Sequence, residues 1–171
     1  MKGNHGVWQS RSRRSFRRRG RRGVARASTE HRSGFDVHEG LKIALNLLSN
    51  KMKNRVRVQR DFCTDGNILC SGTQLTQVFL NVLDNAQQAV SGSGNIWIAT
   101  RRANESLIVR IRDDGAGIPE DIQGRIFDPC FTTKEIGVGT GLGLSITYGI
   151  VKGHGGSVDN SSPPPVRKRA R

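Results

Sequence analysis

Gln77-Val-Phe-Leu-Asn81-Val-Leu-Asp-Asn85-Ala86 carries apolar residues three and four apart, a pattern that runs through Leu75, Val78, Phe79, Val82, Leu83, Ala86 and Val90. That spacing is one face of an α-helix. At about 100° per residue, Asn85 falls at the margin of the apolar stripe and Asn81 lies one turn before it, so both amides can face the edge of a pocket. Upstream, Asp36 followed by Glu39 reads as a capping box opening a first helix, with Val37, Leu41, Ala44, Leu45, Leu48 and Met52 at helical spacing. Arg55 to Phe62 alternates, with Val56 and Val58 on one side, and reads as a strand. Downstream, Asn95 to Thr100 and Ser106 to Arg112 are two strands joined by a polar turn at Ala103-Asn104, tight enough to make them antiparallel. Gly141 to Lys152 is a third helix, stopped by Gly153, and Gly156 to Asn160 is a short strand. Helices and strands that interleave around an antiparallel pair predict an α+β fold: a two-layer α/β sandwich with a mixed sheet packed on about three helices.

Three further motifs follow the central helix. Asp113-Asp-Gly115-Ala-Gly117-Ile118 comes directly after the strand ending at Arg112. A carboxylate there, with glycines two and four positions on, can project into a cavity while the backbone passes close to a planar ligand. Standing alone, Asp-Asp-Gly is more often a simple turn. Ile126-Phe-Asp-Pro-Cys-Phe-Thr-Thr-Lys134 and Gly137-Val-Gly-Thr-Gly-Leu-Gly143-Leu144 complete the series. Glycines at 137, 139, 141 and 143 remove the Cβ atoms that keep backbone N–H groups from an anion, and the helix beginning near Gly141 adds its positive end. Neither a G-x-x-x-x-G-K-[ST] loop nor a G-x-G-x-x-G after a strand is present, which excludes a P-loop and a dinucleotide fingerprint. Leu142, Leu144 and Ile146 resume an apolar pattern at once, which argues against a flexible linker.

In this order the four motifs resemble the N, G1, F and G2 boxes of the ATP-binding catalytic domain of sensor histidine kinases. That domain belongs to the superfamily it shares with DNA gyrase B, the Hsp90 chaperones and the MutL proteins. The resemblance covers roughly Phe35 to Asn160, and it implies ATP, Mg²⁺ and transfer of the γ-phosphoryl to a histidine. By resemblance, Asn85 takes the position of the Mg²⁺ ligand, a task an amide carbonyl can perform. Asp113 takes that of the acceptor for the adenine amino group, and Gly115 and Gly117 make room for the ring. The resemblance extends nucleotide contact to Ile118, Phe127, Thr133, Thr140 and Leu142, and assigns Gly137, Gly139, Gly141 and Gly143 to the phosphates. Phe131 to Gly139 looks like a lid over ATP, on which Lys134 is placed to meet a phosphate. Asn81 and Lys134 are the expected catalytic positions. Where gyrase-like ATPases resemble the first motif they place a Glu at the position of Asn81 to activate water. An amide cannot accept a proton at neutral pH, so phosphotransfer is favoured over hydrolysis.

The chain also departs from that pattern. Histidine kinases carry the phospho-accepting histidine on a dimerising hairpin ahead of the ATP domain, and none of His5, His31, His38 or His154 has that context. The acceptor is therefore expected on a dimerisation domain from another segment or chain, with a response regulator downstream, while His38 and His154 read as structural. The family closes with another strand, signalled by a Gly-Thr-x-Phe-like run, where this chain has Ser161-Ser-Pro-Pro-Pro165. Consecutive prolines cannot supply a strand's donors, so the sheet is expected to lack its last strand. Cys130 stands where the family often has Phe.

Charge marks the expected boundaries. Of 28 Lys and Arg residues and 14 acids, eleven basic residues and one acid lie in residues 1–34, and four basic residues follow Pro163. The middle holds thirteen of each sign, so the net charge of +14 resides in the ends. Residues 35–160 are long enough for one hydrophobic core, whereas 1–34 and the Pro-rich 161–171 are expected to be disordered basic tails. Ser12-Arg-Arg-Ser-Phe16 looks like a twin-arginine export signal, but no apolar region follows it. The Arg- and Ser-rich, acid-poor leader also fits an organelle transit peptide. Dense arginine allows nucleic-acid contact through phosphates. The rival functions are therefore a nucleotide-binding pseudo-enzyme without transfer activity and a nucleic-acid-binding protein acting through its tails. No apolar run reaches the length of about eighteen residues that a membrane span needs. Cys63, Cys70 and Cys130 have no metal-ligand spacing and fit reduced thiols in a cytoplasmic protein.

Overall fold

The structure, a computed structural model, describes residues 4–11, 32–133 and 139–161. Its strands are β1 (Asn4–Arg11), β2 (Ser33–Asp36), β3 (Val56–Asp61), β4 (Asn67–Cys70), β5 (Gly94–Ala103), β6 (Ser106–Asp113) and β7 (Gly156–Ser161). Three helices of more than one turn, α1 (Val37–Leu47), α3 (Gly72–Ala89) and α5 (Gly143–Gly153), are accompanied by the single turns α2 (Ser49–Met52) and α4 (Glu120–Gln123). Helix α1 starts where the Asp36 carboxylate accepts from the His38 N–H at 2.9 Å, satisfying one of the donors a helix start leaves over. The reciprocal half of the capping box is not used; Glu39 instead pairs with Lys42 at 2.6 Å. Ser71 caps α3 in the same way, accepting from the Gln74 N–H at 3.4 Å.

β5 and β6 form the expected antiparallel hairpin, with Ala103 opposite Ser106. Asn104 turns the corner at φ 54°, a left-handed conformation that asparagine tolerates better than most residues. On the other side β5 pairs in parallel with β3, which makes the five-stranded sheet mixed, in the order β3-β5-β6-β1-β7. β2 and β4 form a separate two-stranded ribbon. The apolar core lies between the helices and one face of the sheet: Leu41 and Leu45 of α1, Leu75, Phe79 and Leu83 of α3, and Val151 of α5 meet Ile96, Ile98, Leu107, Val109 and Ile111. A polar junction interrupts it. Thr100, fully buried, accepts from the Cys63 N–H at 2.9 Å and shares a hydrogen bond of 2.9 Å with His38 Nε2, whose ring stacks on Phe62. Among the described residues no helix is long and apolar enough to cross a membrane.

The sandwich agrees with the expectation from sequence, but its edges do not. Residues 1–34 do not form one structureless tail: Asn4–Arg11 is β1, and β2 begins at Ser33. β1 runs antiparallel to β6, with Asn4 opposite Asp113 and Arg11 opposite Ser106, and antiparallel to β7, with His5 opposite Ser161 and Ser10 opposite Gly156. The place in the sheet between β6 and β7 is thus filled from the start of the chain. A strand inside a sheet is held by backbone groups that every non-proline residue carries. The arginine count of the surrounding segment therefore concealed eight residues of which only Arg11 is charged. Residues 12–31 and 162–171 of the expected tails lie outside the described residues.

Cys70 is 1% exposed, and burial pushes its thiol up to about 11, whereas Cys130 is exposed. Because the thiolate is the reactive form, iodoacetamide at pH 8 should label Cys130 and leave Cys70 unmodified until denaturant is added. Peptide mass spectrometry of the alkylated protein reads both positions, and rapid labelling of Cys70 in the native protein would contradict this packing.

Candidate functional site

Helix α3 is the support on which the motifs meet. Asn81 and Asn85 are half-buried on it, one turn apart. The Asn81 amide nitrogen donates to the Gly143 carbonyl at 3.0 Å, and its oxygen accepts from Gln77 at 2.8 Å. Asn81 therefore ties α3 to the first residue of α5. At the far end of α3 the chain after β6 comes down on Ala89: the Ala116 N–H points at the Ala89 carbonyl at 3.4 Å. A Cβ added to Gly115 would lie 2.6 Å from that carbonyl oxygen. Eight residues of helix separate the two anchors, about 12 Å at 1.5 Å per residue, and Asn85 stands midway.

Asp113 owes its place to strand alternation. Leu107, Val109 and Ile111 of β6 are buried on the helix-facing side of the sheet, and Asp113, next in that period of two, continues the row at its end with 3% exposure. Its carboxylate accepts from the Gly115 N–H at 2.9 Å, which helps turn the chain towards α3. Asp114, on the opposite parity, is exposed and clamps Asn95 through the backbone N–H and the side-chain amide, both at 2.8 Å. The adjacent aspartates thus have separate duties. Gly117 takes φ 79°, a left-handed conformation that favours glycine. At Gly115 the space a side chain would need is already taken by Ala89, so its smallness serves this packing. The signal in sequence was the glycine itself; its neighbour could not be read.

The third and fourth motifs pack on each other. Gly141 has φ 66°, and a Cβ there would sit 2.5 Å from the Cys130 carbonyl carbon and 2.8 Å from the Phe131 carbonyl oxygen. Cys130 is itself left-handed at φ 63°. Phe127, half-buried, rests against Tyr148 of α5 with ring centroids 5.6 Å apart, and Arg125 lies over Phe131. Leu142, at the start of α5, makes no side-chain cap bond, and the first turn contains no acid. The Thr140 hydroxyl accepts from the Leu142 N–H at 3.4 Å. The carbonyl of Ile118, half-buried, accepts from Gln123 at 2.9 Å. Gly139 is half-buried, Thr133 and Thr140 are exposed, and Lys134 and Gly137 lie outside the described residues.

The two histidines whose surroundings are described are structural, as their context in sequence indicates. His38 bonds Thr100, and His154 accepts from the Ser71 N–H at 3.0 Å through Nε2 while Nδ1 meets the Ile150 carbonyl at 2.9 Å. Among the described residues no group of three or more His, Cys, Asp and Glu could hold a metal. The chemistry present is instead a buried carboxylate at the end of β6, neutral amides on α3, and a helix start without a capping side chain behind a glycine run. A helix start of this kind suits an anionic group, and a buried carboxylate suits a hydrogen-bond donor. A separate surface hollow of about 300 Å³, lined by Lys42, Leu45, Met52 and Arg60 among others, contains none of the motif residues.

Comparison with known proteins agrees with this geometry. A family model for histidine kinase-, DNA gyrase B-, and HSP90-like ATPases matches residues 70–171. Sporulation kinase E of Bacillus subtilis is 36% identical over 107 residues, 61% of this chain and 14% of that protein. The signal transduction histidine-protein kinase AtoS of Escherichia coli is 45% identical over 91 residues, 53% of this chain and 15% of its own length. The chain therefore spans about a seventh of these two relatives. Among solved structures, the catalytic domain of histidine kinase ThkA, in a nucleotide-free form, superposes with a TM-score of 0.67 at 28% identity, covering 73% of this chain and 82% of that one.

Two of the glycines differ in the room they leave for a side chain. Gly115→Ala drives a methyl into the Ala89 carbonyl and should destabilise the fold by about 1 to 3 kcal/mol, the usual range for overpacking. Gly143→Ala places its methyl 3.7 Å from Asn81, an ordinary contact, and should stay within about 0.5 kcal/mol of the parent. Urea unfolding of the two variants tests the contrast; equal stabilities would refute it.

Proposed function

Because the chain belongs to the histidine kinase-, DNA gyrase B-, and HSP90-like ATPase family, we propose that it binds ATP with Mg²⁺ as the catalytic domain of a two-component sensor kinase. Its reaction is delivery of the γ-phosphoryl to a histidine on a dimerisation domain, supplied by another segment or chain, with a response regulator receiving the group afterwards. The observation that carries this reading is the buried Asp113 carboxylate, brought to the end of β6 on the helix side of the sheet. In that place it accepts the adenine amino group. Asn85 offers its carbonyl oxygen to Mg²⁺, which when bound neutralises charge on the phosphate oxygens. The backbone N–H groups at the start of α5 meet the phosphates, and Lys134 from the preceding run adds a cation.

Asn81 supports transfer over hydrolysis. Its amide is neutral, and both of its ends are engaged, the oxygen by Gln77 and the nitrogen by Gly143. It cannot take a proton from water, so the bound γ-phosphoryl waits for a better-placed nucleophile. The domain then contributes positioning and charge neutralisation, which is most of what phosphoryl transfer requires.

Asp113→Ala removes a charged hydrogen bond worth roughly 1.5 to 3 kcal/mol. Calorimetric titration should show ATP affinity lower by about ten- to a hundredfold, and near-parental affinity would take the carboxylate out of the site.

Asn85→Leu keeps the helix and removes the oxygen ligand. Titrations with and without Mg²⁺ should show that the metal no longer strengthens ATP binding in this variant; equal enhancement in both proteins would dismiss Asn85 as the ligand.

A further inference from the structure

β1 joins two parts of the molecule that otherwise do not meet in the sheet. It pairs with β6 on one side and β7 on the other, and β7 has no second partner among the described strands. Neighbouring strands stand about 4.8 Å apart, so without β1 the β6 and β7 backbones would be separated by two strand spacings, beyond hydrogen-bond reach. Each of those strands leads to one half of the site. β6 ends at Asp113, which faces Asn4 across the ladder. β7 follows α5 through the Gly155 turn, and α5 starts at Gly143, which holds the Asn81 amide. Asn4–Arg11 is thus the piece of sheet between the carboxylate end of β6 and the strand anchoring α5.

We propose that the N-terminal strand is a positioning element for nucleotide: its docking between β6 and β7 sets the Asp113 end of the sheet relative to the glycine-rich start of α5. Nucleotide binding and strand docking then strengthen each other, because a coupling free energy between two events is reciprocal. Residues 12–32 separate β1 from β2, and nine of these 21 residues are arginines. Closing a connection of that length carries an entropic cost that grows only slowly with length, against which the two backbone ladders act. The balance can therefore shift with ligand. This rests on the nucleotide reading given above.

The test is amide hydrogen exchange on the full chain with and without ATP and Mg²⁺, together with ATP titration of two variants. In the parent, amides of 4–11 and 156–161 should be protected and should exchange more slowly at saturating nucleotide. Val7→Pro removes a donor in the middle of β1, opposite Arg110 and Asp159, and should weaken ATP binding by about five- to tenfold, within the usual span of such couplings. A synthetic peptide of residues 1–11 in excess should restore the affinity, and Ser15→Pro, outside the strand, should leave it unchanged. Parental affinity in Val7→Pro overturns the proposal, as does fast exchange of 4–11 in both states. If Val7→Pro does not fold, the parent's exchange decides: protection of 4–11 that rises with nucleotide supports the coupling, and indifference to bound nucleotide overturns it alone. A parent chain that fails to bind ATP overturns this proposal and the nucleotide reading together.

Discussion

The site depends on two contacts made by α3 to backbone atoms of the glycine-rich segments: the Asn81 amide on the Gly143 carbonyl and the Gly115 backbone against the Ala89 carbonyl. Leu75, Phe79 and Leu83 bury the opposite side of the same helix in the core, so α3 transmits the position of the sheet to both segments. The Gly115 contact tolerates little substitution, whereas Gly143 meets Asn81 through its carbonyl and has room for a methyl. Both contacts place few demands on the side chains between them. That division lets a rigid helix present two runs rich in glycine without fixing their whole length.

A buried carboxylate is expensive unless it is hydrogen-bonded, and Asp113 shows how the fold accommodates one. The alternation of β6 delivers it to the core side, and the turn that follows supplies the Gly115 N–H. Its neighbour Asp114 takes the exposed side and closes the loop onto Asn95. One carboxylate is a staple and the other is presented towards the helix layer, a division produced by the pleat of a strand and not by any difference in chemistry. The Gly141 contact with Cys130 and Phe131 brings the third motif to the fourth in the same economical way, backbone against backbone.

Much of the fold could be read directly. The apolar stripe of α3, the β5–β6 hairpin and the cap of α1 at Asp36 are local patterns, and each occurs where its residues indicate. The errors have identifiable causes. α5 begins at Gly143, two residues later than its glycines suggest, because Gly141 is left-handed and cannot enter a right-handed helix. β2 and β4 went unread because strands of four residues leave too short a period to recognise. β1 was hidden by the arginines beside it, although its own eight residues hold only one. At the candidate site, residue identities were legible and their partners were not: nothing in the order of residues pairs Asn81 with Gly143 or Gly115 with Ala89.

The sequence by itself determined the layers, the central helix, the family motifs and the chemistry they bring, since periodicity and motif spacing are properties of neighbours along the chain. Only the tertiary structure decided that Gly115 is small because of α3, and that the sheet continues through a strand from the other end of the chain. Those outcomes depend on which surfaces are brought within a few ångströms of each other. A ladder hydrogen bond forms with whatever backbone lies alongside, and a Cβ clashes with whatever atom occupies its place. Neither is encoded at the residue that experiences it.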